Sequence, residues 1–141
     1  MGFFQNKTVT LFNRCFDAMT EEEIWYPTLF DHADLVENRK TVVSQKEKEK
    51  TDTVMLYIEE ENLPKQYLET KAWVALPREE RGQYFTLTLA EDFFVKGDCT
   101  GIEIPEKNFY EWIRKRKDGV YKVIGINRYE DILPHFEIGG S

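Results

Sequence analysis

Cysteine and histidine are scarce. The 141 residues hold two cysteines, Cys15 and Cys99, and two histidines, His32 and His135, all isolated in sequence. A disulfide framework needs more cysteines, and a zinc site ordinarily shows paired spacings such as C-x-x-C. Two free thiols in a reducing cytosol are the plain reading. Cys–His catalysis would need a spatial convergence that no motif here supports. Long apolar runs are missing as well: none approaches the ~18–20 residues of a membrane span. The stretch Met1–Lys7 has no basic segment leading into an apolar block, so no secretory signal is expected. Positive charge is in deficit, with 19 Lys+Arg against 26 Asp+Glu and a net charge of −7. That balance argues against a surface that grips nucleic acid throughout, although it leaves room for a local basic patch. No G-x-S-x-G, H-E-x-x-H, Walker loop or G-x-G-x-x-G occurs. The strand–helix alternation of a doubly wound nucleotide-binding sheet is also lacking.

What is present is a chain long enough for one domain with a substantial core. Aromatic residues make up 14% of it, which excludes an intrinsically disordered polymer. Thr8–Asn13 alternates β-branched and apolar residues and predicts a strand with Val9 and Leu11 on one face. Thr20 and Glu23 have the spacing of a capping box, which predicts a short helical turn that Pro27 cuts off. Trp25–Phe30 reads as extended, with Ala33–Val36 continuing it after a bend.

Residues 37–52 are strongly charged and read as a solvated hairpin tip or mobile loop, with a docking arm that orders on a partner as the alternative. Thr53–Glu59 is the clearest strand, with Val54, Leu56 and Ile58 on one face. Tyr84–Leu89 alternates again, with Phe85, Leu87 and Leu89 as its inward set, and Phe93–Lys96 leads into a Gly97 turn. Pro105–Lys117 predicts a helix, with Phe109, Trp112 and Ile113 on one stripe and Arg114–Lys117 complementing the dipole at its end. Gly119 is its expected C-cap. Val120–Ile126 and His135–Ile138 predict a final strand pair around a turn at 127–134, and residues 139–141 a frayed tail. The expected fold is therefore mainly β: a small antiparallel β-barrel or sandwich in a single domain over 1–141, with one α-helix inserted before the C-terminal strand pair.

Candidate chemistry is thin. Glu21–Glu23 and Glu59–Glu61 are acidic runs at element ends, best read as solvated turns. Asp31, His32 and Asp34 could ligate a metal but read more simply as a loop. Arg114–Lys117, with Lys107 and Lys122, is the one positive patch; it reads as helix-end charge, with contact to nucleic acid or an acidic partner as the alternative. No catalytic, cofactor-binding or metal-binding residue is expected.

Several segments occur in one order: TVTLFN at 8–13, Tyr26-Pro27-Thr28, residues 83–97 ending in Phe-Val-Lys-Gly, and VYKVIGIN at 120–127 followed by Pro134-His135-Phe136-Glu137-Ile138-Gly139-Gly140. In that order the chain resembles a family of minor capsid and head–tail joining proteins from tailed bacteriophages and prophages of Gram-positive bacteria. The resemblance implies a small β-barrel in the virion, made in the host cytoplasm, that forms a ring with copies of itself between portal or adaptor and tail. It implies no enzyme activity, no cofactor, no membrane and no tight grip on the packaged DNA passing nearby. The residues leave two other classes open. One is a carbohydrate- or receptor-binding β-module with Trp25, Trp73 or Trp112 as stacking platforms. The other is a hydrolase built on paired carboxylates.

Overall fold

Alternation along the chain translates into strands that bury one face and, in places, both. The computed structural model describes residues 7–39 and 52–141. In order, these form β1 (Lys7–Asp17), β2 (Glu22–Arg39), β3 (Asp52–Glu59), β4 (Gln66–Tyr67), α1 (Thr70–Val74), β5 (Tyr84–Phe85), β6 (Phe93–Lys96), α2 (Phe109–Arg114), β7 (Val120–Tyr129) and β8 (His135–Gly140), with 3-10 turns at Glu60–Asn62 and Arg81–Gln83. Six strands close into a barrel in the order β1-β2-β3-β8-β7-β6. Every neighbouring pair in it is antiparallel, and Thr10↔Val95 and Leu11↔Phe94 lie on the seam where β1 meets β6. Closure removes the open sheet edges that would otherwise template aggregation. The mainly β, barrel-type expectation holds, as does the helix placed before the last strand pair.

The barrel interior is a packed core. Val9 and Leu11 of β1, Leu56 and Ile58 of β3, and Phe136 and Ile138 of β8 are all essentially inaccessible. The strand at 53–59 thus buries the face its sequence predicted. A second core lies outside the barrel wall, where Phe109 and Ile113 of α2 cover Phe12, Trp25, Phe93 and Val95. This explains the uninterrupted Phe93-Phe94-Val95: Phe94 faces inward, while its two neighbours face the helix. Phe12 stacks on Phe93 at 5.2 Å and meets Phe109 edge-on at 4.9 Å. Such pairs contribute about 0.5–1.5 kcal/mol beyond area burial.

Because strand directions alternate around the barrel, β3 leaves and β6 enters at the same end. The chain between them folds over that end as a plug. Phe85 sits at its centre, edge-on to Phe30 at 5.3 Å and Tyr67 at 5.4 Å and 6.1 Å from Phe136. Trp73 of α1 is 1% exposed, lies against Tyr26 and donates to the Arg81 carbonyl at 3.1 Å. At the opposite end Gly140 passes so close to Phe94, Tyr121 and Val54 that a Cβ there would sit 2.6–2.9 Å from their side chains.

Several local expectations are corrected. The capping box at Thr20 does not start a helix; the Asp17 carboxylate instead accepts from the Met19 and Thr20 amides, and Glu21 takes φ 56° in a turn into β2. The bend near residue 32 is a bulge, since Val9 pairs with Phe30 but Lys7 with Ala33, and β2 continues through it. The helix expected over 105–117 is confined to Phe109–Arg114, because Asn108 adopts a left-handed φ of 58° and stops it from extending back to Pro105. Gly119, at φ 74°, turns the chain into β7 instead of capping α2. The strand expected over 84–89 is only Tyr84–Phe85, and Leu89 is 54% exposed. The tail is not frayed: Gly139 and Gly140 pair on both sides, and Ser141 exchanges backbone hydrogen bonds with Lys122. Glu37–Arg39 and Asp52 belong to β2 and β3, so the expected charged loop shrinks to residues 40–51, which lie outside the described residues.

Candidate functional site

The residues with chemical potential are mostly dispersed. Asp31 and His32 contact each other at 2.8 Å on the exposed bulge, and Asp34 lies beyond it in a row with Tyr57 of β3. Among the described residues no three His, Cys, Asp or Glu side chains gather as a metal site. The acidic runs are engaged singly: Glu23 pairs with Arg14 at 2.7 Å, Glu22 with Arg78 at 3.6 Å and Glu60 with Arg128 at 2.8 Å. Both cysteines are free thiols and buried. His135 stacks on Tyr129 at 4.8 Å and lies 3.0 Å from a Glu137 oxygen. Burial by itself would lower its pKa; contacts with the Leu133 carbonyl and Glu137, and the charges of Glu137 and Glu59, raise it on balance.

Two of the three indoles are buried and form no stacking platform. Trp25 lies under α2 and Trp73 inside the plug. Trp112 is half-buried, and the Arg116 guanidinium sits 4.3 Å over its ring. A cation already on the π face leaves a weaker platform for a sugar.

One buried group has no counterpart in the sequence reading. Asp92, just before β6, is inaccessible together with Asn13 and Thr86. Its carboxylate accepts from the Asn13 amide at 2.8 Å, the Arg14 backbone N–H at 2.9 Å and the Thr88 backbone N–H at 2.8 Å. Asn13 also donates to the Thr86 carbonyl at 2.6 Å. This cluster ties the plug to β1. Burial pushes the Asp92 pKa up to about 6, against the lowering effect of its donors, with the Glu91 charge adding to the rise. The available signal was small: an acid set directly against an apolar run, Asp92-Phe93-Phe94-Val95.

The outer surfaces carry the rest. Two hairpin tips stand at the plugged end. Met19 in the β1–β2 turn and Ile132 in the β7–β8 turn are each 95% exposed. The barrel order β1-β2-β3-β8-β7-β6 places these two hairpins across the mouth from one another. The β1–β6 wall is covered by α2, and the turn that follows it holds Lys115, Arg116 and Lys117, all exposed, while Arg114 pairs with Glu111 at 3.8 Å. The wall formed by β3 and β8 lies opposite. Its outward residues include the cross-strand row Asp34–Tyr57–Glu137–Asn127 and, beside it, Glu59–His135–Tyr129, with His135 reaching Glu137 across the two. Asp34 and Glu137 flank the Tyr57 hydroxyl; burial comes first and these charges second in raising its pKa.

A family model matches residues 4–141. The chain belongs to DUF6751, a family of unknown function. No curated protein and no solved structure matches the chain. Membership spans nearly the whole sequence, so the barrel, plug and helix together are the unit that defines this family in the chain.

Proposed function

We propose that the protein is a non-enzymatic structural subunit of a tailed-phage or prophage virion, a minor capsid or head–tail connector component. The observation that carries this reading is the closed barrel with a filled interior. A closed barrel offers no free edge for strand addition, so neighbours must be met through side chains on its walls and tips. Two fully solvated apolar side chains, Met19 and Ile132, stand on opposite rims of one end, where contact with a neighbouring subunit would remove them from water. The resemblance of the ordered segments at 8–13, 83–97 and 120–140 to phage neck proteins supports the same reading. A net charge of −7 suits a part that packaged DNA passes without sticking. Its partners in this reading are portal or adaptor, tail proteins and further copies of itself, in the virion and in the host cytoplasm during assembly.

The test is compositional. In a lysogen carrying the gene, tailed particles are induced, purified through a density gradient and analysed by mass spectrometry. The protein is expected to co-purify in a fixed ratio to the capsid protein. Its presence only in the soluble cell fraction would overturn the proposal.

A further inference from the structure

The β7–β8 turn is anchored by a histidine that meets an acceptor at each ring nitrogen. His135 opens β8 and pairs with Tyr129 of β7 on one side and Glu59 of β3 on the other. Its Nδ1 lies 2.8 Å from the Leu133 carbonyl oxygen, and its Nε2 lies 3.0 Å from a Glu137 carboxylate oxygen. A carbonyl and an ionised carboxylate only accept. A neutral imidazole has one N–H and satisfies one of them; the imidazolium has two and satisfies both. The Leu133 contact bears on the shape of the turn, because Leu133 takes a left-handed φ of 60° that an L side chain adopts at a cost. The same turn presents Ile132 and Leu133 to solvent.

We propose that His135 is a proton-operated latch on this turn: its imidazolium fixes the shape in which Ile132 and Leu133 are presented, and loss of one proton releases it. The groups around the ring set where the latch works. Glu137 faces it from β8 and Glu59 from β3, while Tyr129 of β7 stacks on it at 4.8 Å. Tyr57 of β3 stands next to Glu137. Glu130 and Asp131 of the turn line the hollow beside the ring. Arg128 of β7 lines that hollow too, with its guanidinium tied to Glu60 at 2.8 Å and to Glu130 at 3.3 Å. Burial favours the neutral ring, but the Leu133 carbonyl, the Glu137 contact and the charges of Glu137 and Glu59 outweigh it and raise the pKa above the ordinary 6.5.

Deprotonation has a preferred outcome. The Glu137 carboxylate is the stronger acceptor and keeps the remaining proton on Nε2. Nδ1 then turns a lone pair toward the Leu133 oxygen at 2.8 Å, and repulsion replaces the hydrogen bond. The Glu60 backbone N–H still holds the Pro134 carbonyl at 2.9 Å, so release is confined to the turn and β8 stays paired. Because the folded pKa is raised, the latch contributes stability that is complete below the unfolded value and is lost as pH rises through the folded one. A turn held in one shape has already given up freedom that docking would remove, so contacts made through Ile132 are favoured while the latch is closed. The latch belongs to the barrel and stands whether or not the tip meets a virion partner.

Heteronuclear NMR of the full chain, titrated from about pH 5 to about pH 9, tests this. The chain has two histidines, so His32→Asn assigns the His135 ring signals. The His135 ring is expected to titrate with a midpoint above about 6.5, from the doubly protonated form to the Nε2–H tautomer. The methyl signals of Ile132 and Leu133 should shift with the same midpoint and sharpen above it as the turn gains motion. Glu137→Gln should lower the midpoint by at least about half a pH unit, since it removes the nearest opposite charge. His135→Phe keeps a ring on Tyr129 but offers no donor, and should leave the turn methyls mobile at every pH. If that variant does not fold, the Glu137→Gln titration decides. A ring midpoint at or below about 6.5, a midpoint that Glu137→Gln does not move, turn methyls that ignore the ring's titration, or an Nδ1–H tautomer at high pH would each overturn the latch.

Discussion

Replacing Asp92 by asparagine gives a direct reading of how dry the plug is. Asp92 titrates near pH 6 in the folded protein, against 3.8 for an ordinary aspartate. The folded state therefore binds a proton that the unfolded chain has already released. A carboxyl whose folded pKa is raised contributes stability that is complete below the unfolded value and is lost as pH rises through the folded one. With about 1.4 kcal/mol per pKa unit, the loss between pH 3 and pH 7 comes to roughly 3 kcal/mol. The asparagine side chain of the variant does not titrate. The wild type's stability relative to Asp92→Asn should therefore fall by ~3 kcal/mol across that window. Urea unfolding of both proteins at half-unit pH steps measures it, and the other carboxylates cancel in the difference. The amide also places an N–H₂ where the Asn13, Arg14 and Thr88 donors converge, which adds a fixed cost of about 1–3 kcal/mol at all pH values. Parallel stability curves would show that Asp92 is solvated and the plug is not seated on β1 as described; a wild-type advantage that grows with pH would show instead that the three donors outweigh burial and would refute the raised pKa.

Other consequences follow from packing. Gly140→Ala should destabilise by at least about 1–3 kcal/mol in thermal or urea unfolding, because its Cβ would lie 2.6 Å from the Phe94 ring and 2.9 Å from Tyr121 and Val54; a neutral result would contradict the tight closure at that end. Phe85→Ala should cost about 3–5 kcal/mol and raise amide exchange over the plug, since the ring contacts Phe30, Tyr67 and Phe136. Met19→Ser and Ile132→Ser should change stability by less than ~0.5 kcal/mol while lowering incorporation into particles; a large loss of stability would mean these tips are packed rather than presented. Cys15 and Cys99 are 7% and 4% exposed, so both should react with a thiol reagent only on unfolding, and a rapid reaction of the native protein would refute their burial.

The strand pattern was legible where burial is one-sided, as in Val54, Leu56 and Ile58, because period-two alternation reports directly which face is wet. Phe93-Phe94-Val95 carried no alternation, since the barrel buries one face and α2 the other. The helix over 105–117 was overextended because Pro105 and the Arg114–Lys117 run resemble ends, whereas the true start is fixed by a left-handed Asn108. α1 escaped notice because its five residues bury one side chain, Trp73, too few to show a helical period. The Asp92 cluster was invisible for a different reason. Its partners come from residues 13, 14 and 88, and only closure of the barrel with its plug brings them together.

Deleting the gene from an inducible lysogen, followed by electron microscopy of the lysate, tests the structural role most directly. Filled or partly filled heads and separate tails, unjoined or leaking, are the expected outcome, with intact particles restored by the gene supplied in trans. Normal numbers of joined, infectious particles from the deletion strain would contradict the account.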